Sequence, residues 1–295
     1  MFADKIDLLE IIKSFKFKVG ATWLLVLLEN TLLALIPLQI GFAIDGLLTG
    51  QFHQLGYLAG LMMVMTILIV IRRIYDTRAY GTIRVHLAIS LNSRYQGMPV
   101  SIRNARLEMG RELVDFMENQ VPEIITAIIQ LIMAVIILGV FHAYLALSAL
   151  AVFAGMMILY SFFHQRFYDL NSAFNGQMEQ QVDALTTGNS GFVSRHFRNL
   201  RKWEVKLSDT EACVYGLIFL LQIGFIIFNL WYSSVLTDMT TGKIFSIINY
   251  SWEFVGAAFT LPIALQSLSR LHEVSTRINR TEDDNGELEV DAKSP

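Results

Sequence analysis

Two carboxylates lie inside long apolar runs of the sequence, where charged side chains are rare. Glu29 lies about ten residues into the run 19–44, which is near mid-bilayer at about 1.5 Å per helical residue. Glu253 has the equivalent place in the run 243–265. A charge at mid-bilayer costs about 2.5–3.5 kcal/mol on insertion scales, so it is usually shielded or functional. Carboxylates at this depth favour two kinds of chemistry, proton uptake and the binding of a cation.

These carboxylates lead to two alternative predictions. In the first, Glu29 and Glu253 line a shared cavity that binds a cationic substrate or takes up protons. In the second, each carboxylate is buried against an amide and only fixes packing, and the candidate amides are Asn30, Gln130, Gln222 and Asn249. Residues on one helical face around Glu253 form a polar-to-small stripe of Asn249, Trp252, Glu253, Gly256 and Thr260. The candidates for the cavity wall or for proton coupling are Glu29, Asn30, Asn249, Trp252 and Glu253.

Motifs for nucleotide hydrolysis and metal binding are missing from the sequence. A phosphate-binding loop needs G-x-x-x-x-G-K-[ST], and the nearest string, TTGKIF at 240–245, lacks the first Gly and the final Ser or Thr. The single Cys213 has no Cys or His at metal-ligand spacing. We therefore expect a chain that is not an enzyme and that holds no catalytic residue, cofactor or metal of its own.

The composition is typical of a protein whose solvent is a lipid bilayer. The 295 residues are 54% hydrophobic and only 17% charged, whereas soluble domains average about 25% charged residues. The net charge of −3 argues against a nucleic-acid partner. Runs long enough to cross a bilayer lie near 19–44, 55–76, 122–141, 144–164, 212–235 and 243–265.

The distribution of Lys and Arg orients these six predicted spans. Of the 23 Lys and Arg residues, all except Lys243 fall in the segments on the side of the two termini. Cytoplasmic segments carry the excess of Lys and Arg, so both termini are predicted to be cytoplasmic. The chain is thus a multi-pass protein of a cell membrane, for which a bacterial inner membrane is the expected setting.

The two long cytoplasmic segments have a helical pattern of apolar residues. Segments 77–121 and 165–211 each predict a helix that leaves the membrane, a turn, and a helix that returns, with the first turn near Gly97–Pro99. Residues 1–18 predict a short helix in the membrane interface. Residues 19–280 hold the six-helix domain, and the acidic tail 281–295 is expected to be disordered.

This layout resembles the six-helix transmembrane domain of ABC exporters (type IV). Three stretches carry the resemblance, which covers about residues 5–280: LIPLQIGFAIDGLL (35–48), QGMPVSIRNARLEMGREL (96–113) and INYSWEFVGAAFTLPIALQSLSRLHEVSTRI (248–278). The resemblance implies an all-α fold with long cytoplasmic helical extensions. It also implies a dimer, either homodimer or heterodimer, whose helices enclose a central cavity.

In that family the two cytoplasmic turns are coupling helices that dock on an ATPase. The resemblance places them near 99–107 and 173–184, with the candidate residues Met98, Pro99, Val100, Ile102, Arg103, Arg106, Asn175, Gln177 and Glu179. ATP is then expected only in a partner subunit. Ile102 and Arg103 stand where the family has an aromatic pair, which is a departure from its pattern.

Three functions fit these observations. The chain is the membrane half of a split ABC exporter with a separate ATPase subunit, or a proton-driven transporter of the same fold, or an accessory membrane protein that does not transport. The coupling-turn sequence favours the first, and the carboxylates together with the lost aromatic pair favour the second. The residues do not rank amphipathic cations, peptides and lipids as substrates.

Overall fold

The computed structural model describes residues 8–279, with side chains for all of them except Ile102 and residues 261–279. Every regular element in this part of the chain is a helix. The α-helices are α1 (Leu8–Ser14), α2 (Lys16–Leu48), α3 (His53–Arg94), α4 (Val100–Asp115), α5 (Val121–Phe141), α6 (Ala143–Glu179), α7 (Gln181–Thr186), α8 (Ser190–Val235) and α9 (Thr241–Asn279), and a π-helical turn, Phe116–Gln120, joins α4 to α5. The predicted all-α fold is therefore confirmed.

Five helical segments are long and apolar enough to cross a membrane. They are Lys16–Leu48, His53–Arg94, Arg103–Phe141, Ala143–Thr186 and Ser190–Val235, each of at least 33 residues. A bilayer core of about 30 Å needs only about 20 helical residues, so each segment is longer than one crossing requires. The predicted sixth span, 243–265, falls in α9 and runs past the described side chains, so the count of six stays a prediction.

The chain divides into two compact units. The first unit comprises residues 1–134 and 239–295, and the second comprises residues 135–238. In the first, α2 packs against α3 and α9, and α3 packs against α4. In the second, α6 and α8 pack along each other, and α7 packs against α8.

The hydrophobic core of the first unit lies between α3 and α4, with a contribution from α1. Its fully buried members include Ile11, Tyr80, Ile83, Leu87, Leu91, Leu113, Val114 and Met117. Ile11 of α1 is 0% exposed. The Ile11 side chain thus packs on other residues of the protein, and the interfacial position of the N-terminal helix stays a prediction. The domain limits 1–18 and 19–280 stay predictions, and the tail 281–295 lies outside the described residues.

Helices α2 and α9 of the first unit run antiparallel and are joined by side chain to backbone hydrogen bonds. The hydroxyl of Ser246 donates to the carbonyl oxygen of Pro37 at 2.9 Å, and that of Tyr250 donates to the carbonyl oxygen of Ala34 at 2.6 Å. Pro37 has no N–H to donate to the carbonyl oxygen four residues earlier, although α2 continues through it. The two hydroxyls from α9 add hydrogen bonds to other carbonyl oxygens beside this proline.

Asp45 near the end of α2 caps the start of α9. Its carboxylate accepts the backbone N–H of Gly242 at 2.8 Å and the hydroxyl of Thr240 at 2.5 Å. An anionic oxygen at a helix N-terminus satisfies unpaired N–H groups and interacts favourably with the helix dipole. Gly41 and Gly242 allow this close approach, because a Cβ on Gly242 would overlap the carbonyl oxygen of Gly41 and lie 2.7 Å from the Asp45 carboxylate.

The last residue of α4 and the π-helical turn that follows it each present one carboxylate to α3. Arg84 donates to Asp115 at 2.5 Å and forms a second ion pair with Glu118. One extra residue per turn changes which residues face α3, and such turns occur often at functional sites.

The second unit is an α6–α8 pair held by buried polar contacts. Ser148 donates to the Asn229 side chain at 2.7 Å, and Gln222 donates to the Met156 sulfur at 3.4 Å. His142 caps the start of α6 by accepting the Tyr144 N–H at 3.2 Å.

Replacing Gly242 with Ala is expected to lower the thermal stability of the detergent-solubilised protein. The added methyl group overpacks the contact with Gly41 and Asp45, and overpacking typically costs about 1–3 kcal/mol. Gly256→Ala on the same helix is the matched control, since a Cβ there meets nothing within 4 Å. Alanine is also the better helix former, so Gly256→Ala should be neutral or stabilising. Equal thermal melting of the two variants would contradict the close α2–α9 contact.

Candidate functional site

Glu29, one of the two predicted site carboxylates, forms an ion pair with Arg72 of α3. Arg72 also contacts the Asp76 carboxylate at 3.3 Å, and Asp76 accepts the hydroxyl of Thr22 at 2.9 Å. Arg72 and Glu29 side chains are 24% and 18% exposed, and Asp76 is 3% exposed. One cation is therefore shared by two largely buried carboxylates, and the pair joins α2 to α3.

Arg72 is not among the partners that the sequence predicts for Glu29. The signal that could have found it is the spacing of Arg72 and Asp76, which are four residues apart and so lie on one face of α3. An Arg and an Asp at the end of an apolar run need partners within the protein, and Glu29 on the preceding helix supplies one.

Asn30, the neighbour of Glu29, is buried and joins α2 to α5. Its amide donates to the Val26 carbonyl oxygen at 2.8 Å and to the Thr126 hydroxyl at 2.9 Å. Asn30 is 4% exposed, so its side chain serves packing in this structure.

The α9 residues of the predicted stripe have different surroundings. Asn249 donates to the carbonyl oxygen of Phe245 on its own helix at 3.0 Å, and Trp252 is 60% exposed. The Tyr250–Ala34 hydrogen bond sets the antiparallel register, which brings Glu253 level with Asn30. Glu253 is half-buried, and no hydrogen bond or ion pair to it exists among the residues whose side chains are described.

The two predicted carboxylates therefore occupy the same level of the α2–α9 pair but differ in their partners. Glu29 is paired with a cation, whereas Glu253 is not paired within the described part of the chain. A role for either residue in substrate binding or proton coupling stays a prediction.

The first predicted coupling turn lies at the tip of the α3–α4 hairpin, which we call the first tip (residues 95–103). Tyr95 accepts the Met98 N–H at 3.1 Å, and Pro99 precedes α4 with its carbonyl oxygen accepting the Arg103 N–H at 3.0 Å. Val100 is 71% exposed, whereas Met98 packs against the core of the first unit. The Ile102 side chain lies outside the described residues.

Arg106 is the candidate of the first turn that the structure buries. It is 8% exposed, and its guanidinium lies 5.8 Å from the centroid of the Tyr95 ring. A stacked guanidinium of this kind stabilises the turn. Arg106 thus packs within the hairpin, and the half-buried Arg103 is the more accessible of the two cations.

The second predicted coupling turn corresponds to the tip of the α6–α8 hairpin, which we call the second tip (residues 180–189). Asn175 and Gln177 lie on α6 before this tip, and Glu179 is the last residue of α6. Gln177 contacts the buried His196 of α8 at 2.9 Å, so it joins the two helices. Asn175 and Glu179 are exposed.

Both tips expose apolar side chains, of which Val100 is a predicted coupling-turn residue whereas Val182 and Leu185 are not. At the second tip, Val182 and Leu185 of α7 are 67% and 53% exposed. At the first tip, Val100 is 71% exposed. The local signal is an apolar pair three residues apart on a short helix that lies outside the apolar runs.

Helices of this length and hydropathy define a multi-pass membrane protein. The sequence matches the family model described as the ABC transporter transmembrane region over residues 8–242. The chain belongs to this family, as its resemblance predicted. No match is found among curated proteins.

Arg72→Met is expected to lower the thermal stability of the protein in detergent strongly. Removing Arg72 leaves Glu29 and Asp76 without their shared cation, and breaking a buried ion pair in this way costs about 3–5 kcal/mol, less where solvent reaches it. Arg73→Met is the matched control, because Arg73 is the exposed neighbour on the same helix. A melting temperature that falls equally in both variants would show that the ion pair does not join α2 to α3.

Proposed function

We propose that this chain is the membrane subunit of an ABC exporter. In this proposal two copies, or one copy and a related chain, form the translocation pathway, and a separate ATPase subunit supplies hydrolysis. The chain itself hydrolyses no ATP and holds no cofactor. Six spans place both termini and both hairpin tips in the cytoplasm of the cell.

The observation that carries the proposal is the exposure of Val100, Val182 and Leu185 at the two tips. These residues lie outside the predicted membrane spans, so lipid does not cover them. Exposed apolar side chains that lipid does not cover are typical of protein interaction sites. Family membership supports an ATPase as the protein that covers them.

The construction of each hairpin supports the transmission of motion from a tip to the membrane. The α3–α4 hairpin has a closely packed core that begins at the first tip, and in this core a Cβ on Gly110 would overlap the Leu91 side chain. In the second unit, Gln177 and His196 join the helices just before the tip. A well-packed pair of helices moves as a rigid element, so a force applied at its tip reaches the helices within lipid.

A second candidate function, transport driven by protons, is supported by Glu253. A half-buried carboxylate with no cation beside it in the described part of the chain is suited to binding a proton or a cationic solute. Glu29 is less suited, because Arg72 already neutralises it.

Leu185→Glu is expected to reduce the recovery of the ATPase subunit when the tagged chain is purified from its native membrane. A charge on the exposed face of α7 disfavours burial of that face by a partner. The measurement is the molar ratio of a nucleotide-binding subunit to the chain, together with the ATP hydrolysis of the purified complex. Val205→Glu is the control, since Val205 is 45% exposed on α8 and distant in sequence from the second tip. Purification of the unchanged chain without a stoichiometric ATPase would refute the proposal.

Under this second candidate function, the unchanged chain takes up a fluorescent amphipathic cation into proteoliposomes that carry a pH gradient and no ATP, and Glu253→Gln is expected to abolish this uptake. Glutamine keeps the size of the side chain but takes up no proton. Glu123→Gln is the control, because Glu123 is an exposed carboxylate at the start of α5. Full uptake by Glu253→Gln would remove Glu253 from the mechanism.

A further inference from the structure

An open cavity of about 350 Å³ lies between α6 and α8 of the second unit. It is lined by Phe163, Arg166, Lys206, Asp209, Thr210 and Cys213. Arg166 reaches across the helix pair, where its Nε donates to the Thr210 hydroxyl at 3.4 Å. The cavity is thus built from both helices at one level.

That level is the predicted edge of the membrane on both helices. The apolar run 144–164 of α6 ends two residues before Arg166, and the run 212–235 of α8 begins two residues after Thr210. Each run is about long enough to cross the hydrocarbon core once. Because Arg166 contacts Thr210, the two membrane edges coincide at the cavity.

The cavity has a charged end and an apolar end. Arg166 and Lys206 provide two cations against the single carboxylate of Asp209, whereas Phe163 and Cys213 lie toward the apolar runs. The ammonium group of Lys206 lies 4.6 Å from the centroid of the Trp203 ring.

We propose that this cavity binds the headgroup of an anionic phospholipid. Arg166 and Lys206 contact the phosphate, a headgroup hydroxyl donates to Asp209, and the acyl chains follow Phe163 into the hydrocarbon layer. Basic pockets between membrane helices bind acidic headgroups by this chemistry.

A lipid fits this cavity better than a soluble anion does. A soluble phosphate would use only the charged end, whereas a lipid also covers the side chains at the apolar end. The site requires only that α6 and α8 meet the membrane surface here. It does not depend on a transport function or on an ATPase partner.

Cys213 reports on the occupancy of the cavity, because it is the single cysteine of the chain and is exposed in the cavity wall. The experiment measures the rate at which N-ethylmaleimide modifies Cys213 in nanodiscs of phosphatidylcholine, with and without phosphatidylglycerol. Phosphatidylglycerol is expected to slow modification of the unchanged chain several-fold. The double variant Arg166→Gln/Lys206→Gln should lose this protection.

The matched control is Arg198→Gln/Lys202→Gln, which removes two exposed cations of α8 that do not line the cavity. It should keep the protection, and so should the charge-conserving Arg166→Lys/Lys206→Arg. For each variant, the rate of Cys213 modification with phosphatidylglycerol is divided by the rate without it. These ratios are then compared among variants, so a change in the intrinsic reactivity of the thiol cancels. Equal slowing in all variants, or no slowing in the unchanged chain, would overturn the site. Equal slowing by inorganic phosphate in phosphatidylcholine nanodiscs would overturn its assignment to a lipid.

Discussion

A hydrocarbon layer offers no hydrogen-bond partner, so polar groups buried in these helices must be met by other groups of the protein. This constraint selects which helices pair. Asn30 donates a hydrogen bond to Thr126 on α5, and Ser246 donates one to the carbonyl oxygen of Pro37 on α2. In the second unit, Ser148 donates to the side chain of Asn229. Each of these contacts joins two helices whose remaining surfaces are apolar and would pack in many ways. The polar contacts therefore determine the register, and the apolar side chains fill the space around them.

A buried charge needs a partner even more than a neutral polar group does. In this respect Glu29 and Glu253 differ, although they have similar places in the sequence. Glu29 is paired with Arg72, which also pairs with Asp76, so one cation joins two carboxylates and connects α2 to α3. Glu253 lies at the same level on α9 without a cation beside it in the described structure. A paired carboxylate contributes to stability, whereas an unpaired one is available to a proton or a cationic ligand. Glu29 and Glu253 are the same residue type, and they differ because α3 brings Arg72 to Glu29.

The helices are longer than one crossing of a bilayer requires. The parts of α3, α4, α6 and α8 beyond the predicted spans pack in a different way from the parts within lipid. Between α3 and α4, apolar side chains form a water-excluding core as in a soluble protein. At the tips, Val100, Val182 and Leu185 remain exposed. Asp115 at the end of α4 and Glu118 in the π-helical turn both pair with Arg84 of α3, and these ion pairs join α3 to the segment that leads into α5. In the proposed exporter, partner binding at the tips would act on the membrane helices through these rigid pairs.

The sequence by itself determined the all-helical class, the long apolar helices, the family, and the turn at Gly97–Pro99, because run length, helical periodicity and proline act locally along the chain. It did not determine the partner of Glu29, the burial of Ile11, or the place of the second tip after Glu179. It also did not separate Arg106, which packs on Tyr95, from the accessible residues of the first turn. Only the tertiary structure decided these points. Each of these points depends on which helix packs against which face of another helix. A hydrophobic pattern in the sequence predicts the apolar face of a helix, but it does not predict which residues cover that face.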